Sequence, residues 1–528
     1  MPDTRPNVLF IMSDQHSKAV AGCYGHGIVQ TPHMDRLAQR GLIYDNAFCA
    51  SPLCGPSRVA WITGTQPHTN GVVTHNNSRH RSGGTYRKTI DPDVPSLIEE
   101  MRQAGYDTYG AGFMHADQHV DGEDPYGELG FSGYGVNPKS YGDIVGEQVK
   151  RRYDAHHIIS EMWEHSYRNV EGDPFPHGEE KMFDTLVVDD CLKFIEQSDR
   201  TRPFFAYAGF RAPHPPWCAP PRFHELYDPD DIGELPNYLV HFTDRPRRVV
   251  ERVNYYELWN LPEEMIRKSI AAYFGFVSYT DHCIGRLVDA IDAAGLRENT
   301  LIVYASDHGE MCGEHGLWWK NTWHESSVRV PLIVSTPEHR GGDVAAQVVD
   351  DPVGLADLFP TFCGLAGAET PDSLDGLDLS GPCRGDVSSA LQNRLGVITE
   401  AMTPRWGEGT EFRVLRSRRH KYVAFRDAPD LAFDLEQDPC EQRNLLAHGE
   451  AKDETDALRA HLLEGFDFDN VEQTRLAQTQ DLKDRFPLRA EGSTPNQVLR
   501  GDGLLVEADA PLYDADVVSR DIDADFDR

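Results

Sequence analysis

The chain has 528 residues, with 85 acidic against 51 basic side chains and a formal net charge of −34. This length exceeds one ordinary hydrophobic core and predicts two or three structural units. The negative charge argues against nucleic acid and against an anionic membrane surface as partners. An anionic substrate would therefore be attracted by local cations and a metal ion rather than by the field of the whole protein.

The sequence contains neither a recognisable leader nor a membrane-spanning segment. The apolar run at residues 7–12 is interrupted at once by polar residues 13–15, so it is too short for a secretory signal. No apolar stretch approaches the length of a transmembrane helix. The ten cysteines are scattered without a Cys-x-x-Cys pair, which indicates reduced thiols. We therefore expect a cytoplasmic protein with no membrane partner.

The first predicted element is a strand at residues 7–13, an apolar run typical of a strand buried on both faces of a parallel sheet. Asp14 and Gln15 follow at its carboxyl end, where open α/β sheets bind their ligands. An aspartate in this place can equally cap a turn. Residues 31–38 are predicted to form an amphipathic scaffolding helix with Pro32 in its first turn.

The next predicted helix begins close to Cys54, because Pro56 suits a first helical turn. The N-terminus of a helix attracts anions. Arg58 lies four residues after Cys54, so both side chains share a face and can approach the same anion. An isolated cysteine is more often a buried structural residue.

The middle of the chain alternates predicted helices and strands. Helices are expected at residues 94–105, 183–197 and 265–294, and buried strands at residues 106–110, 203–210 and 299–306. His115 follows the first of these strands, and His214, between prolines, follows the second. The polar loop at residues 69–87, which contains Asn76, is expected to border the site. Residues 117–176 are expected to form an irregular lid or oligomer contact.

The third of these strands ends at Asp307 and His308, with Lys320 a short distance further along the chain. Two strands far apart in sequence thus each deliver an aspartate and a second ligand-type side chain to one edge of the sheet. Each aspartate alone could be structural, but the set predicts a metal site.

The pattern Cys54-x-Pro56-Ser57-Arg58, followed by Thr63-Gly64, resembles the signature of the sulfatase family within the alkaline phosphatase superfamily. The resemblance implies an α/β fold with a central, mostly parallel sheet sandwiched by helices, and a smaller C-terminal α+β subdomain. It also implies that a formylglycine-generating enzyme converts Cys54 to formylglycine, whose hydrate is the nucleophile.

The resemblance also implies one divalent metal ion. Its expected ligands are Asp14, Gln15, Cys54 in its modified form, Asp307 and His308. Oxygen ligands suit Ca²⁺, whereas the imidazole shifts the preference toward Mn²⁺, so both ions stay open.

Roles for the remaining candidates follow from the same resemblance. Arg58, Lys320 and His214 would neutralise the charge on the transferring group, while Asn76 would contact the leaving group. His115 would act as the general base that releases sulfate from the covalent intermediate. Many sulfatases carry a lysine where this chain has Phe113, so one expected cation on the substrate is missing.

Three segments are predicted: a catalytic domain at residues 1–390, a small antiparallel sheet at 391–450, and an acidic extension at 451–528. Residues 501–528 hold nine acidic and two basic side chains, which is typical of a solvated segment or of one wrapped on a partner subunit. We therefore expect a homo-oligomer.

We expect hydrolysis of small-molecule sulfate monoesters, in the manner of an arylsulfatase, to an alcohol and sulfate. One alternative is a phosphonate monoester or phosphodiester hydrolase that uses the same site. A choline-sulfatase-like enzyme shares the Asp-Gln and Asp-His pairs and would need a pocket for a cation. An alternative of another class is a non-catalytic metal-binding scaffold, which would keep Cys54 unmodified.

Overall fold

The fold is described from a computed structural model of the chain. It covers residues 5–74, 90, 93–116, 124–146, 149, 172–233, 263–386, 391, 393–402, 409–485, 497–499 and 505–507. Asn76, most of the loop at 69–87, about half of residues 117–176 and most of residues 501–528 lie outside these residues.

Sixteen strands are present in these ranges. In chain order they are β1 (Asn7–Asp14), β2 (Leu42–Tyr44), β3 (Ala47–Phe48), β4 (Asp107–Gly112), β5 (Gly133–Tyr134), β6 (Phe204–Pro213), β7 (Thr300–Ser306), β8 (Leu332–Ser335), β9 (Gln347–Val349), β10 (Val353–Gly354), β11 (Val397–Ala401), β12 (Phe412–Arg416), β13 (His420–Phe425), β14 (Leu431–Asp434), β15 (Gln497–Leu499) and β16 (Leu505–Glu507).

The same ranges contain sixteen α-helices and several short 3₁₀ turns. The helices are α1 (Pro32–Ala38), α2 (Cys54–Thr63), α3 (Pro67–Asn70), α4 (Leu97–Gln103), α5 (Pro125–Glu128), α6 (Tyr141–Val145), α7 (Phe183–Gln197), α8 (Pro221–His224), α9 (Glu263–Ala293), α10 (Glu325–Val328), α11 (Pro337–Gly341), α12 (Leu358–Ala366), α13 (Ser380–Cys383), α14 (Leu445–His448), α15 (Lys452–Leu462) and α16 (Phe468–Arg485).

The central sheet has eight strands in the order β5-β4-β6-β1-β7-β8-β2-β9. All neighbours in it are parallel except β8, which runs antiparallel to β7 and β2. The predicted mostly parallel α/β sheet is therefore confirmed. Part of the segment that was predicted to be irregular joins this sheet, since β5 pairs with β4 through Tyr109 and Gly110.

Helices cover both faces of the sheet, and β1 contributes to both hydrophobic cores. Leu9 and Ile11 pack in the core that includes α1, α7 and α9. Val8, Phe10 and Met12 pack on the opposite face, with α2, α4 and α12. Because side chains alternate along a strand, a strand buried on both faces must be apolar throughout, as β1 is.

A separate antiparallel sheet, β11-β12-β13-β14, forms the C-terminal part, with α14 and α15 packed on it. The predicted C-terminal α+β unit is therefore confirmed, whereas domain limits at 390 and 450 stay predictions. In the parts of the chain described here, no helix is sufficiently long and apolar to span a membrane.

Candidate active site

The order of strands brings the predicted site residues to one edge of the central sheet. Strand β1 lies between β6 and β7, with Ser13 opposite Ser306 and Asp14 opposite Pro213. The residues after β7 and β6 therefore meet the end of β1. Helix α2 begins at this edge, and its first residue is Cys54.

Four ligand-type side chains converge here, and all four are buried. Nε2 of His308 lies 3.0 Å from Sγ of Cys54, 3.6 Å from Oδ1 of Asp14 and 3.5 Å from Oδ1 of Asp307. The ligand atoms of all four residues lie within 4.8 Å of one another. This arrangement places carboxylate oxygen, imidazole nitrogen and the side chain of residue 54 around a common centre.

Two details show that the cluster suits a cation. Nδ1 of His308 lies 3.0 Å from the Gly309 carbonyl and donates to it, so Nε2 presents its lone pair to the cluster. Oε1 of Gln15 is buried and accepts no hydrogen bond from the residues that the structure describes, although buried polar atoms are normally satisfied. A divalent metal ion would satisfy both atoms, so the residues fit the group that the fold implies.

The two aspartates differ in their ionisation. Burial and the nearby Asp307 raise the pKa of Asp14 to about 7. Burial alone would also raise the pKa of Asp307, but His308, Arg58 and Lys320 outweigh it and hold that pKa below its usual value. Burial lowers the pKa of His308 to about 3, so its imidazole is neutral. A bound cation would favour the ionised form of both carboxylates.

Arg58 lies beneath the cluster and is completely buried. Its Nε donates to Oδ2 of Asp307 at 2.7 Å, and one terminal nitrogen donates to Tyr207 Oη at 2.8 Å and to the Phe113 carbonyl at 2.5 Å. The other terminal nitrogen lies 3.4 Å from Oδ2 of Asp14. This differs from the expectation that Arg58 approaches the substrate anion, because its donors are directed to protein acceptors.

Lys320 contacts Cys54 directly. Its Nζ lies 2.8 Å from Sγ of Cys54 and 3.2 Å from Nε2 of His308. Burial opposes its charge, but Cys54, Asp14 and Asp307 outweigh burial and raise the pKa of Lys320 above its ordinary value. Burial and Asp14 raise the pKa of the Cys54 thiol well above its usual range. The thiol is therefore protonated, and a protonated thiol is a poor nucleophile.

The two histidines follow β4 and β6 as predicted. Nε2 of His115 lies 3.9 Å from Oδ2 of Asp14, and its backbone is in the left-handed region at a φ of 57°. Nδ1 of His214 donates to the Pro215 carbonyl at 2.6 Å. Burial, together with Lys320 and Arg211, lowers the pKa of His214 well below its ordinary value. His214 is therefore neutral at the edge of the cluster.

Phe113 occupies the position where many sulfatases have a lysine. Its buried ring packs edge-on against the His115 ring, with 4.4 Å between centroids. It presents an apolar surface at the position where the resemblance would imply a lysine, a departure that is already evident in the sequence.

Sequence reasoning missed two residues at this site, Glu310 and Tyr207. Glu310 lies two residues after the predicted ligand His308, and this spacing could have indicated it. Tyr207 lies within an apolar strand, and its sequence pattern does not distinguish it from a core residue. Glu310 is buried and accepts a hydrogen bond from Nε2 of Gln15. Burial raises the pKa of Glu310 to about 7.

Comparison with known proteins gives two family matches. The sulfatase model matches residues 6–368, and a model of the C-terminal region of N-sulphoglucosamine sulphohydrolase matches residues 313–466. The first match includes every candidate site residue.

Individual relatives match over most of their length. A sulfatase of Formosa agariphila is 27% identical over 475 residues, which cover 87% of this chain and 86% of that protein. A choline-sulfatase of Rhizobium meliloti is 28% identical over 469 residues, covering 84% and 83%. The crystal structure of a phosphonate monoester hydrolase of Agrobacterium radiobacter matches with a TM-score of 0.67 and 23% identity, covering 95% of this chain and 99% of that one. The last likeness concerns the fold alone.

Proposed function

We propose, from the premise that this chain belongs to the sulfatase family and is a sulfuric ester hydrolase, that it cleaves small sulfate monoesters with a formylglycine made from Cys54. The observation that carries the proposal is the meeting of three groups. Residue 54 begins α2, Lys320 contacts its side chain, and the cluster of Asp14, Asp307 and His308 lies beside it.

The state of the thiol supports the modification of Cys54. An unmodified cysteine with a raised pKa, buried beside Asp14, is poorly suited to attack an ester. Maturation by a formylglycine-generating enzyme would replace this thiol by an aldehyde, whose hydrate offers two hydroxyl groups. Residue 54 would then attack the sulfur from a position beside the charged Lys320.

A divalent metal ion would be held by Asp14, Gln15, Asp307, His308 and residue 54. When bound, it supplies Lewis acidity that polarises an ester oxygen and lowers the pKa of a neighbouring hydroxyl. Carboxylate and amide oxygens favour Ca²⁺, and the His308 nitrogen favours Mn²⁺, so we propose one of these two ions.

The protein's own side chains would neutralise charge, accept protons and position the metal ligands. Lys320 is the cation that neutralises charge on the transferring group, because it stays protonated and contacts residue 54. His115, beside Asp14, would accept the proton of the second hydroxyl of residue 54, so that sulfate leaves the covalent intermediate and the aldehyde is restored. His214 is neutral and donates from Nδ1 to Pro215, so its other nitrogen carries a lone pair and would accept a proton rather than neutralise charge on the transferring group. Arg58 would hold the two aspartates in place.

One observation favours a second substrate class. The Phe113 ring replaces a cation that many sulfatases place near the substrate, so the site offers less positive charge to the transferring group. A phosphonate monoester carries a single negative charge, as a sulfate monoester does. We therefore propose phosphonate monoester hydrolysis as the second activity of the same site.

The test compares an aryl sulfate with an aryl phosphonate in one preparation of matured, metal-loaded protein. In the wild-type protein, we expect the sulfate ester to give the higher kcat/KM. In Cys54→Ala, we expect the hydrolysis of both esters to disappear. A phosphonate preference would make the second activity the main one. Turnover that persists in Cys54→Ala would refute the proposed nucleophile.

A further inference from the structure

Gln15 is held by the protein at three of its polar groups. Its backbone N–H donates to Oδ1 of Asp307 at 3.1 Å, and its carbonyl accepts from the Tyr273 hydroxyl at 2.9 Å. Its side-chain nitrogen donates to Oε2 of Glu310. The remaining atom, Oε1, is buried and, within the described part of the chain, accepts no hydrogen bond. The residue also has a φ of 69°, in the left-handed region that a residue with a side chain rarely adopts.

Glu310 has its second oxygen occupied as well. Oε1 accepts from the backbone N–H of Cys312 at 2.8 Å and from that of Trp319 at 2.7 Å. Two fixed backbone donors leave this carboxylate little freedom to rotate. Its other oxygen is thereby directed at the Gln15 amide.

Glu310 also contacts the residue next to the proposed catalytic lysine, because Trp319 precedes Lys320. Trp319 and Asn321, the neighbours of Lys320, both have left-handed backbones with φ values of 67° and 69°. The backbone N–H of Asn321 donates to the Pro52 carbonyl at 3.2 Å. The turn that carries Lys320 is therefore anchored to Glu310 on one side and to the segment before Cys54 on the other.

We propose that Glu310 is a positioning residue that orients the Gln15 amide, so that its oxygen and not its nitrogen faces the metal cluster, and that also fixes the turn carrying Lys320. The inference rests on the proposed metal site. The physical reason is that an amide can turn over and exchange its oxygen and nitrogen at small steric cost. Two backbone N–H groups hold Oε1 of Glu310, and Oε2 accepts from the Gln15 side-chain nitrogen, so this contact selects the amide orientation with the NH₂ group toward Glu310.

The Glu310→Gln variant tests this selection. The backbone N–H groups of Cys312 and Trp319 hold the new amide oxygen where Oε1 of Glu310 was, so the new NH₂ group faces Gln15. Gln15 must then turn over to avoid two opposed donors, which presents its NH₂ group to the metal. We expect Mn²⁺ affinity, measured by calorimetric titration of chelator-treated protein above neutral pH, to fall about 10- to 100-fold, the usual effect of losing such an orienting partner.

Exchanging the two side chains should reverse this loss. In the double variant Gln15→Glu with Glu310→Gln, the new amide at 310 donates to one oxygen of the new carboxylate. The other oxygen faces the metal, and the total charge is unchanged. We expect Mn²⁺ affinity to return to the wild-type level or above it. If Glu310→Gln alone does not fold, as judged by its melting curve, the double variant still should fold and bind Mn²⁺.

Glu314→Gln is the matched control, because Glu314 is a partly buried glutamate of the same loop that accepts a hydrogen bond from Ser326 instead of Gln15. Its Mn²⁺ affinity should stay at the wild-type level. Wild-type affinity in Glu310→Gln, or no recovery in the double variant, would overturn the inference. Gln15→Ala tests whether Gln15 is a metal ligand, separately from the positioning role of Glu310. Unchanged affinity in that variant would remove Gln15 from the proposed ligands, whereas lowered affinity there with no effect of Glu310→Gln would overturn the positioning role alone.

Discussion

At the scale of single residues, two cations of the site have different contacts and therefore different expected roles. Arg58 is buried beneath the cluster and pairs with the carboxylate of Asp307. Lys320 keeps a small exposed fraction, 12% of its side chain, and contacts residue 54. The division predicts that replacing Arg58 reduces mainly stability and that replacing Lys320 reduces mainly the rate.

Lys320→Met should lower kcat/KM for an aryl sulfate by about 10²- to 10³-fold, the usual cost of removing one group that stabilises developing charge. The melting temperature should change less than in Arg58→Met, because the Lys320 side chain is 12% exposed whereas that of Arg58 is completely buried. Steady-state kinetics and a thermal melt on the same sample measure both quantities. A loss of only a few-fold would show that Lys320 does not face the transferring group.

Arg58→Met should destabilise the metal-free protein by about 3–5 kcal/mol, because it leaves a buried carboxylate without its partner. Urea unfolding measures the change in the free energy of unfolding. Arg36→Met is the control, since Arg36 forms an exposed pair with Asp289 that should contribute less than about 1 kcal/mol. Equal effects of the two substitutions would contradict the bracing role of Arg58.

At the scale of the elements, a buried lysine joins the C-terminal sheet to helix α10. Lys421 on β13 is completely buried and pairs with Glu325 of α10 at 2.9 Å and with Glu441 at 2.7 Å. Helix α10 follows the turn that carries Lys320. The docking of the C-terminal sheet therefore stabilises the segment on one side of the active site.

Lys421→Met should cost about 3–5 kcal/mol of unfolding free energy, because the buried Glu441 and the mostly buried Glu325 lose their common cation. Lys452→Met, at an exposed pair with Asp456, is the matched control and should be close to neutral. Urea unfolding again gives the comparison. A small effect at Lys421 would mean that the C-terminal sheet docks independently of this pair.

The elements that could be predicted from sequence are those with a strong local pattern. The helix at residues 183–197 and the apolar strand before Asp14 were predicted because periodicity and burial determine them. The partners of Arg58 could not be predicted, since helical spacing gives its face but not what lies opposite. Strand β5 is two residues long, and it pairs with β4 through a contact that no local pattern indicates. The role of Glu310 also depends on a distant residue, Gln15.

At the scale of the whole molecule, the net charge of −34 repels an anionic substrate, so local groups such as Lys320 must attract it. Buried ion pairs also link stability to pH. Arg413 and His68 outweigh burial and hold the pKa of Glu400 below its usual value. Lys421, Arg416 and Arg329 likewise lower the pKa of Glu325.

The stability of the protein should therefore fall in acid. A carboxyl group whose pKa is lower in the folded state stabilises it above the unfolded pKa of about 4.3 for glutamate, and this contribution is lost as the pH falls through the folded pKa. Asp14 and Glu310, whose pKa values are raised to about 7, act in the opposite direction nearer neutral pH. The decrease in unfolding free energy is therefore expected below about pH 4.3, and Glu400→Gln should make it shallower. An unchanged acid dependence in that variant would assign the effect to other groups.

The central claim is that the nucleophile is a formylglycine made from Cys54. The most direct measurement is the mass of the proteolytic peptide that contains residue 54, taken from metal-loaded protein produced with and without a formylglycine-generating enzyme, together with the sulfatase activity of each sample. We predict that activity is proportional to the fraction of peptide carrying the aldehyde. Full activity in protein whose residue 54 is entirely a thiol would contradict the account.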